Sequence, residues 1–369
     1  MENGWTGRGG RCLLVLTWPS LFIQAPEAKH PKPSAPGQVP QDTEMDQPHA
    51  PPTVASGILP AHLSLLGVPL ERGAGLRGTL MGPQALRVAG LPEALTRLGF
   101  TVADHGDLAC PAWGEIDLSA HPGLQSCRHA AEIAAWTRLI HDHAYRLAGE
   151  ATRPIFLGGD HSLSMGSISG VARHCREAGR ELAVLWLDAH GDFNTPATSP
   201  SGNIHGMALA FLTGEPELAP LLDGALVPLD PSRVHLVGLR AVDPQERRRL
   251  ALHGLDCVDM RMIDETSLSA VMRRVLGGLA GRDVHLHVSL DTDFLDPDLA
   301  PGVGTAVPGG VTYREAHLAM EMLYDSGLVA SLDVVELNPF LDDRGRSARL
   351  LVELVASLFG RAILERGSV

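Results

Sequence analysis

The chain has 369 residues, 44% of them hydrophobic, with 30 basic against 43 acidic side chains and a formal net charge of −13. That apolar content supports a large core, and the acidic balance argues against nucleic acid or an anionic membrane as a partner. No apolar run approaches the ~20 residues of a membrane span. Five scattered cysteines (Cys12, Cys110, Cys127, Cys175, Cys257) include no CxxC pair, so they suggest reduced thiols in the cytoplasm rather than a disulfide framework or a thiolate zinc site.

Arg8 and Arg11 precede a short apolar run, Cys12 to Ile23, which Pro19 interrupts; it reads as a non-essential extension rather than an export signal. Residues 24–57 are rich in Pro, Gln and Ala without apolar periodicity and are expected to be disordered. A disordered or non-essential segment, 1–58, is thus expected before a folded body at 59–369. There the spacing predicts strands at His62–Gly67, Pro154–Leu157, Leu182–Leu187, Arg233–Gly238, Val284–Leu290 and Leu328–Val335. Helices are expected at Gly82–Gly99, His129–Leu147, Leu163–Ala178, Pro244–His253, Ser267–Leu279, Tyr313–Ser326 and Ser347–Leu364. Long Gly/Pro-rich loops fall at 193–204 and 297–310. Such alternation implies an α/β fold with a mostly parallel central sheet covered on both faces.

The unusual polar residues come just after strands. His161 follows the run ending in Gly158-Gly159-Asp160, and Asp188-Ala-His190-Gly-Asp192 follows Leu182–Leu187. Asp291-Thr-Asp293 follows Val284–Leu290, and Glu336 follows Val334-Val335. Residues two apart on extended chain point the same way, so each cluster can converge on one spot. Ligands bind beyond the carboxyl ends of strands in open α/β sheets. Crowded carboxylates repel unless a cation lies between them.

Four carboxylates (Asp188, Asp192, Asp291, Asp293) and two imidazoles (His161, His190) balance the charge of two divalent ions and favour Mn²⁺ over a structural zinc. Two such ions activate water, which points to metal-assisted hydrolysis. The loop Asn194–Gly206, dense in neutral hydrogen-bonding groups, could hold the carboxylate and amino group of an amino acid beside the metals, with His205 moving protons. Glu336 could hold a guanidinium as a bidentate ion pair.

These motifs resemble arginase, within the ureohydrolases, from about Leu59 to near the C-terminus. The segments that carry the likeness are Gly158-Gly159-Asp160-His161-Ser162, Asp188–Pro196, Ser201-Gly-Asn203-Ile-His205-Gly206, Gly238–Pro244, Ser289–Pro297 and Val335–Pro339. The resemblance implies a three-layer α/β/α fold and two Mn²⁺ ions. One would be held by His161, Asp188, Asp192 and Asp291, the other by Asp188, His190, Asp291 and Asp293. A bridging hydroxide would attack the guanidinium carbon of L-arginine, giving L-ornithine and urea. It further implies Asp192 as proton donor to the leaving amine, His205 as proton shuttle and Glu336 as the guanidinium anchor. Asn194, Ser201, Asp243, Glu246 and Thr305 would be substrate contacts, and the assembly a homo-oligomer, trimer or hexamer.

Two positions inside the motifs depart from the family pattern: Ala241 stands where arginases commonly have Asp, and Ala306 where Pro is usual. The alternatives are a related ureohydrolase acting on agmatine or N-formimino-L-glutamate, and a non-catalytic relative.

Overall fold

A computed structural model describes residues 61–364 except 115 and 118; the segment 1–58 lies outside the described residues. The apolar runs that alternate with amphipathic stretches fold into eight strands: β1 (His62–Val68), β2 (Thr101–Asp107), β3 (Arg153–Gly158), β4 (Glu181–Leu187), β5 (Val234–Leu239), β6 (Asp256–Asp259), β7 (Val284–Asp291) and β8 (Val329–Val335). They form one sheet of order β2-β1-β3-β8-β7-β4-β5-β6. Every pairing is parallel, so the sheet is more uniform than the mostly parallel one expected.

The helices are α1 (Gly82–Val88), α2 (Leu91–Arg97), α3 (Ala130–Ala148), α4 (Leu163–Glu177), α5 (Ala208–Leu212), α6 (Pro244–His253), α7 (Met260–Thr266), α8 (Leu268–Leu279), α9 (Tyr313–Ser326) and α10 (Arg346–Leu358). Side chains of β4 alternate between two cores, Ala183, Leu185 and Leu187 entering one and Val184 and Trp186 the other. The first core is closed by α1, α2, α8, α9 and α10, the second by α3, α4 and α5. The result is the three-layer α/β/α sandwich that a parallel sheet needs to hide both faces.

The expected elements are present with several corrections. The helix expected over Gly82–Gly99 is two helices, because Gly90 adopts φ +91° and Pro92 restarts the spiral. The closing helix stops at Leu358, where Gly360 turns at φ +102°. Strands β2 and β6 escaped prediction: β2 (TVADHGD) has mostly exposed residues and no apolar alternation, and β6 is four residues long.

Helices α3 and α4 pack closely through two glycines of α4. A Cβ on Gly170 would strike the His141 carbonyl oxygen and the Tyr145 amide nitrogen of α3, and one on Gly166 would lie 2.5 Å from the Ile140 Cβ. Gly170→Ala is therefore expected to destabilise the protein by about 2 kcal/mol, overpacking outweighing the better helix propensity of Ala. Chemical denaturation measures it, and a variant as stable as the parent would show that this backbone contact is looser.

Candidate metal centre

The sheet order places β3, β8, β7 and β4 side by side. Because all run the same way, the residues that follow them share one edge. At the end of β3 the chain turns through Gly159 (φ +25°) and delivers His161 to the start of α4. Asp188, His190 and Asp192 follow β4, Asp291 and Asp293 end or follow β7, and Glu336 follows β8. The backbone is forced into the left-handed region at Asp192 (φ +48°) and Glu336 (φ +61°), a strained conformation for side chains other than glycine.

His161 is fully enclosed, its ring stacked on Trp186 at 4.0 Å and 5°. Its Nδ1 faces oxygens of Asp188 (3.0 Å), Asp192 (3.1 Å) and Asp291 (3.0 Å), yet forms no hydrogen bond. His190 Nδ1 lies 3.0 Å from Asp293 Oδ2 and 3.4 Å from Asp188 Oδ1. Ligand atoms of His161, Asp188 and Asp192 form one compact group, and those of Asp188, His190 and Asp293 a second, each within 4.8 Å. Asp188 belongs to both.

The electrostatics require positive charge here. All four aspartates are at most 7% exposed. Burial, then neighbouring carboxylates, push Asp291 well above the ordinary range and raise Asp293 and Asp192. Burial alone would depress His161, but the carboxylates of Asp188, Asp192 and Asp291 crowded about Nδ1 drive it well above the usual imidazole value. Buried carboxylates left without a counter-charge are costly. An unbonded buried imidazole nitrogen ringed by carboxylate oxygens therefore fits a divalent cation, and the all-N/O donor set suits a Mn²⁺-type ion.

Backbone amides brace these ligands. His190 N donates to Asp188 Oδ1 (2.6 Å), Asp293 N to Asp291 Oδ1 (2.7 Å) and Ala189 N to Asp293 Oδ1 (3.1 Å). Thr305 Oγ1 donates to Asp293 Oδ2 at 3.0 Å, so this hydroxyl touches a ligand carboxylate as well as the cavity.

Above the cluster opens a cavity of about 340 Å³, lined by His190, Asp192, Asn194, Ser201, His205, Asp243, Glu246, Asp291, Asp293, Thr305 and Glu336 among others. Every residue singled out from the sequence borders it except the two at its floor, His161 and Asp188. Glu336 Oε1 accepts from the His161 amide (2.8 Å) and pairs with His205 Nδ1 (2.9 Å). Against the effect of burial, Glu336 lifts His205 to about 9, while His205 holds the Glu336 carboxyl below its usual value. Asn194 Nδ2 donates to Asp243 Oδ2 at 3.1 Å. Glu246 accepts from Phe193 N and Asp243 N, closing the capping box of α6, and burial raises it to about 7. Both Glu246 oxygens are thus engaged with backbone, which ties the loop after the first metal cluster to α6.

Four supporting residues were not singled out from the sequence. Trp186 Nε1 donates to Asp188 Oδ2 (2.9 Å), and Ser289 Oγ meets His161 Nε2 (2.8 Å). Each stands two residues before a ligand aspartate, the same-face spacing that betrays it. Asp160, fully buried, accepts from Gly73 N (2.7 Å) and Ala74 N (3.0 Å) and fastens that loop. Arg240 donates to the carbonyls of Asp293 (2.5 Å) and Val307 (2.9 Å), pinning the loop that contains Thr305 and Ala306. Ala241 forms a β-bridge with His190 and lines the cavity wall.

The family model described as the arginase family matches residues 61–360. The chain is 48% identical to an arginase of Brucella melitensis over 312 residues, covering 84% of this chain and 99% of that one. It is 48% identical to an arginase of Agrobacterium fabrum over 302 residues, 82% of this chain and 92% of the relative. The solved arginase of Bacillus caldovelox superposes with a TM-score of 0.75 at 39% identity, over 82% of this chain and 99% of that one. The sheet order, the carboxylate-ringed imidazole and these matches agree: the chain belongs to the arginase family, whose members are metal-dependent amidinohydrolases.

Proposed function

We propose that the protein hydrolyses L-arginine to L-ornithine and urea with two Mn²⁺ ions. The observation that carries this reading is the pair of ligand groups sharing Asp188 at the floor of a cavity whose wall is the loop Asn194–Gly206. His161, Asp188, Asp192 and Asp291 would hold one ion, and Asp188, His190, Asp291 and Asp293 the other. When bound, such ions supply Lewis-acid activation of water near neutral pH.

The remaining work falls to the chain's own groups. Glu336 offers a buried anion, fixed by His161 N and His205, to a cationic guanidinium. Asp192, at the metal floor and lining the cavity, passes a proton to the leaving amine. His205 exchanges protons with solvent from its place beside Glu336. Asn194 and Ser201 receive the α-carboxylate, while Asp243, already bonded to Asn194, receives the α-ammonium. Glu246 holds the frame of that subsite, and Thr305 steadies Asp293.

A cytoplasmic homo-oligomer, trimer or hexamer, completes the reading. It is supported by the resemblance and by free cysteines among the described residues. No helix among the described residues is long and apolar enough to cross a membrane.

A urea-release assay on the manganese-loaded protein tests the substrate. L-Arginine should be cleaved, and agmatine, which leaves the carboxylate subsite idle, should lose about 100-fold in kcat/KM. Equal rates on agmatine would unseat the roles of Asn194 and Ser201. Formamide release from N-formimino-L-glutamate with arginine untouched would overturn the arginine assignment.

A further inference from the structure

Behind the metal floor, strands β7 and β8 turn polar residues toward α4 instead of apolar ones. Ser289 comes from β7, Asp333 from β8, and Ser164 and Ser167 from α4, all at most 1% exposed. They form a chain that starts at the metal-facing histidine. His161 Nε2 meets Ser289 Oγ at 2.8 Å, Ser289 Oγ meets Ser164 Oγ at 3.4 Å, and Ser164 Oγ donates to Asp333 Oδ2 at 2.7 Å. Ser167 Oγ donates to the same oxygen at 2.7 Å, but no hydrogen bond among the described residues joins it to Ser289 or His161.

The direction of every proton in this chain follows from its far end. Asp333 Oδ2 accepts from both serines, and each hydroxyl has one proton to give. Ser164 spends its proton on Asp333, so it can only accept from Ser289. Ser289 then gives its proton to Ser164 and must accept from His161 Nε2–H. That leaves His161 to meet a metal ion through Nδ1, the nitrogen ringed by Asp188, Asp192 and Asp291. Had the order been reversed, Ser289 would donate to Nε2, and the ring would carry its proton on Nδ1, where it blocks an ion.

We propose that Asp333, acting through Ser164 and Ser289, is a positioning residue that holds His161 in the tautomer and orientation required for metal binding. The inference rests on the metal-centre reading above. Outer partners of a ligating imidazole typically change metal affinity 10- to 100-fold.

The two serines make a matched pair for the test. Ser164 and Ser167 share a helix, a burial and a partner, but only Ser164 lies on the path to His161. The full-length protein and its S164A and S167A variants would be loaded with Mn²⁺ and titrated with a chelator, metal content being read by atomic emission and folding by thermal melting. S164A should lose metal about tenfold more readily than the parent, while S167A should match the parent. In an S289A background, S164A should add nothing further, because its route to His161 is already cut. Should S164A fail to fold, S164C, close in volume but a weak donor, carries the same comparison. Equal behaviour of S164A and S167A, or additive losses in the double variant, would overturn the relay while leaving the metal centre intact. A parent protein that binds no Mn²⁺ would overturn both.

Discussion

Asp188→Asn is expected to release no measurable urea from arginine and to hold fewer than two ions per chain after manganese loading. Asp188 belongs to both compact groups of candidate ligand atoms, with Oδ2 3.0 Å from His161 Nδ1 and Oδ1 3.4 Å from His190 Nδ1. Burial opposes its ionisation, but the two imidazoles hold it well below the ordinary carboxylate value, so it is an anion whenever they are charged or a cation is near. Asparagine keeps the volume and one oxygen for Trp186 Nε1 but removes the charge. The loss should be at least about 10³-fold in kcat, about 4 kcal/mol of barrier. Metal analysis and the urea assay together check it. A variant that keeps two ions and turns over within tenfold of the parent would remove Asp188 from its shared position.

Glu336→Gln should separate substrate binding from metal binding. The carboxylate is 2% exposed, and its contacts with the His161 amide and His205 leave it facing the cavity with its charge intact. Glutamine can still accept from that amide, so metal content should not change. What disappears is the buried anion opposite a guanidinium, and truncating one partner of such a pair costs about 2–5 kcal/mol. The expected result is a fall in kcat/KM for arginine of about 10²- to 10³-fold with two ions retained. Loss of manganese instead would mean that Glu336 supports the floor of the site more than the substrate.

The convergence of these acidic and imidazole side chains was legible because two simple periodicities coincide. Asp188, His190 and Asp192, like Asp291 and Asp293, are spaced to point together and stand where apolar strands end. Parallel order then brings distant stretches to one edge. The supporting residues were harder to see. Ser289 on β7 and Asp333 on β8 each alternate with apolar neighbours as on a strand with one wet face, yet both are fully buried, because helix α4 packs there and meets them with Ser164 and Ser167. Only the packing of α4 shows that these positions are internal. Likewise the resemblance implies Glu246 as a substrate contact, and it lines the cavity, but only the structure shows that its oxygens also accept from Phe193 N and Asp243 N. Gly90 was visible, but whether a glycine bends a helix or merely sits within one depends on the φ the tertiary structure imposes.

The left-handed backbone at Asp192 and Glu336 bears on how this enzyme can be improved. At each, glycine or asparagine would relax the chain by a fraction of a kcal/mol to about 1 kcal/mol. Selection for heat tolerance alone would reward those replacements while discarding the two carboxylates that the proposed reaction uses. A directed-evolution campaign on this scaffold should screen both traits at every round, since the cheapest route to a tougher molecule runs through an inert one.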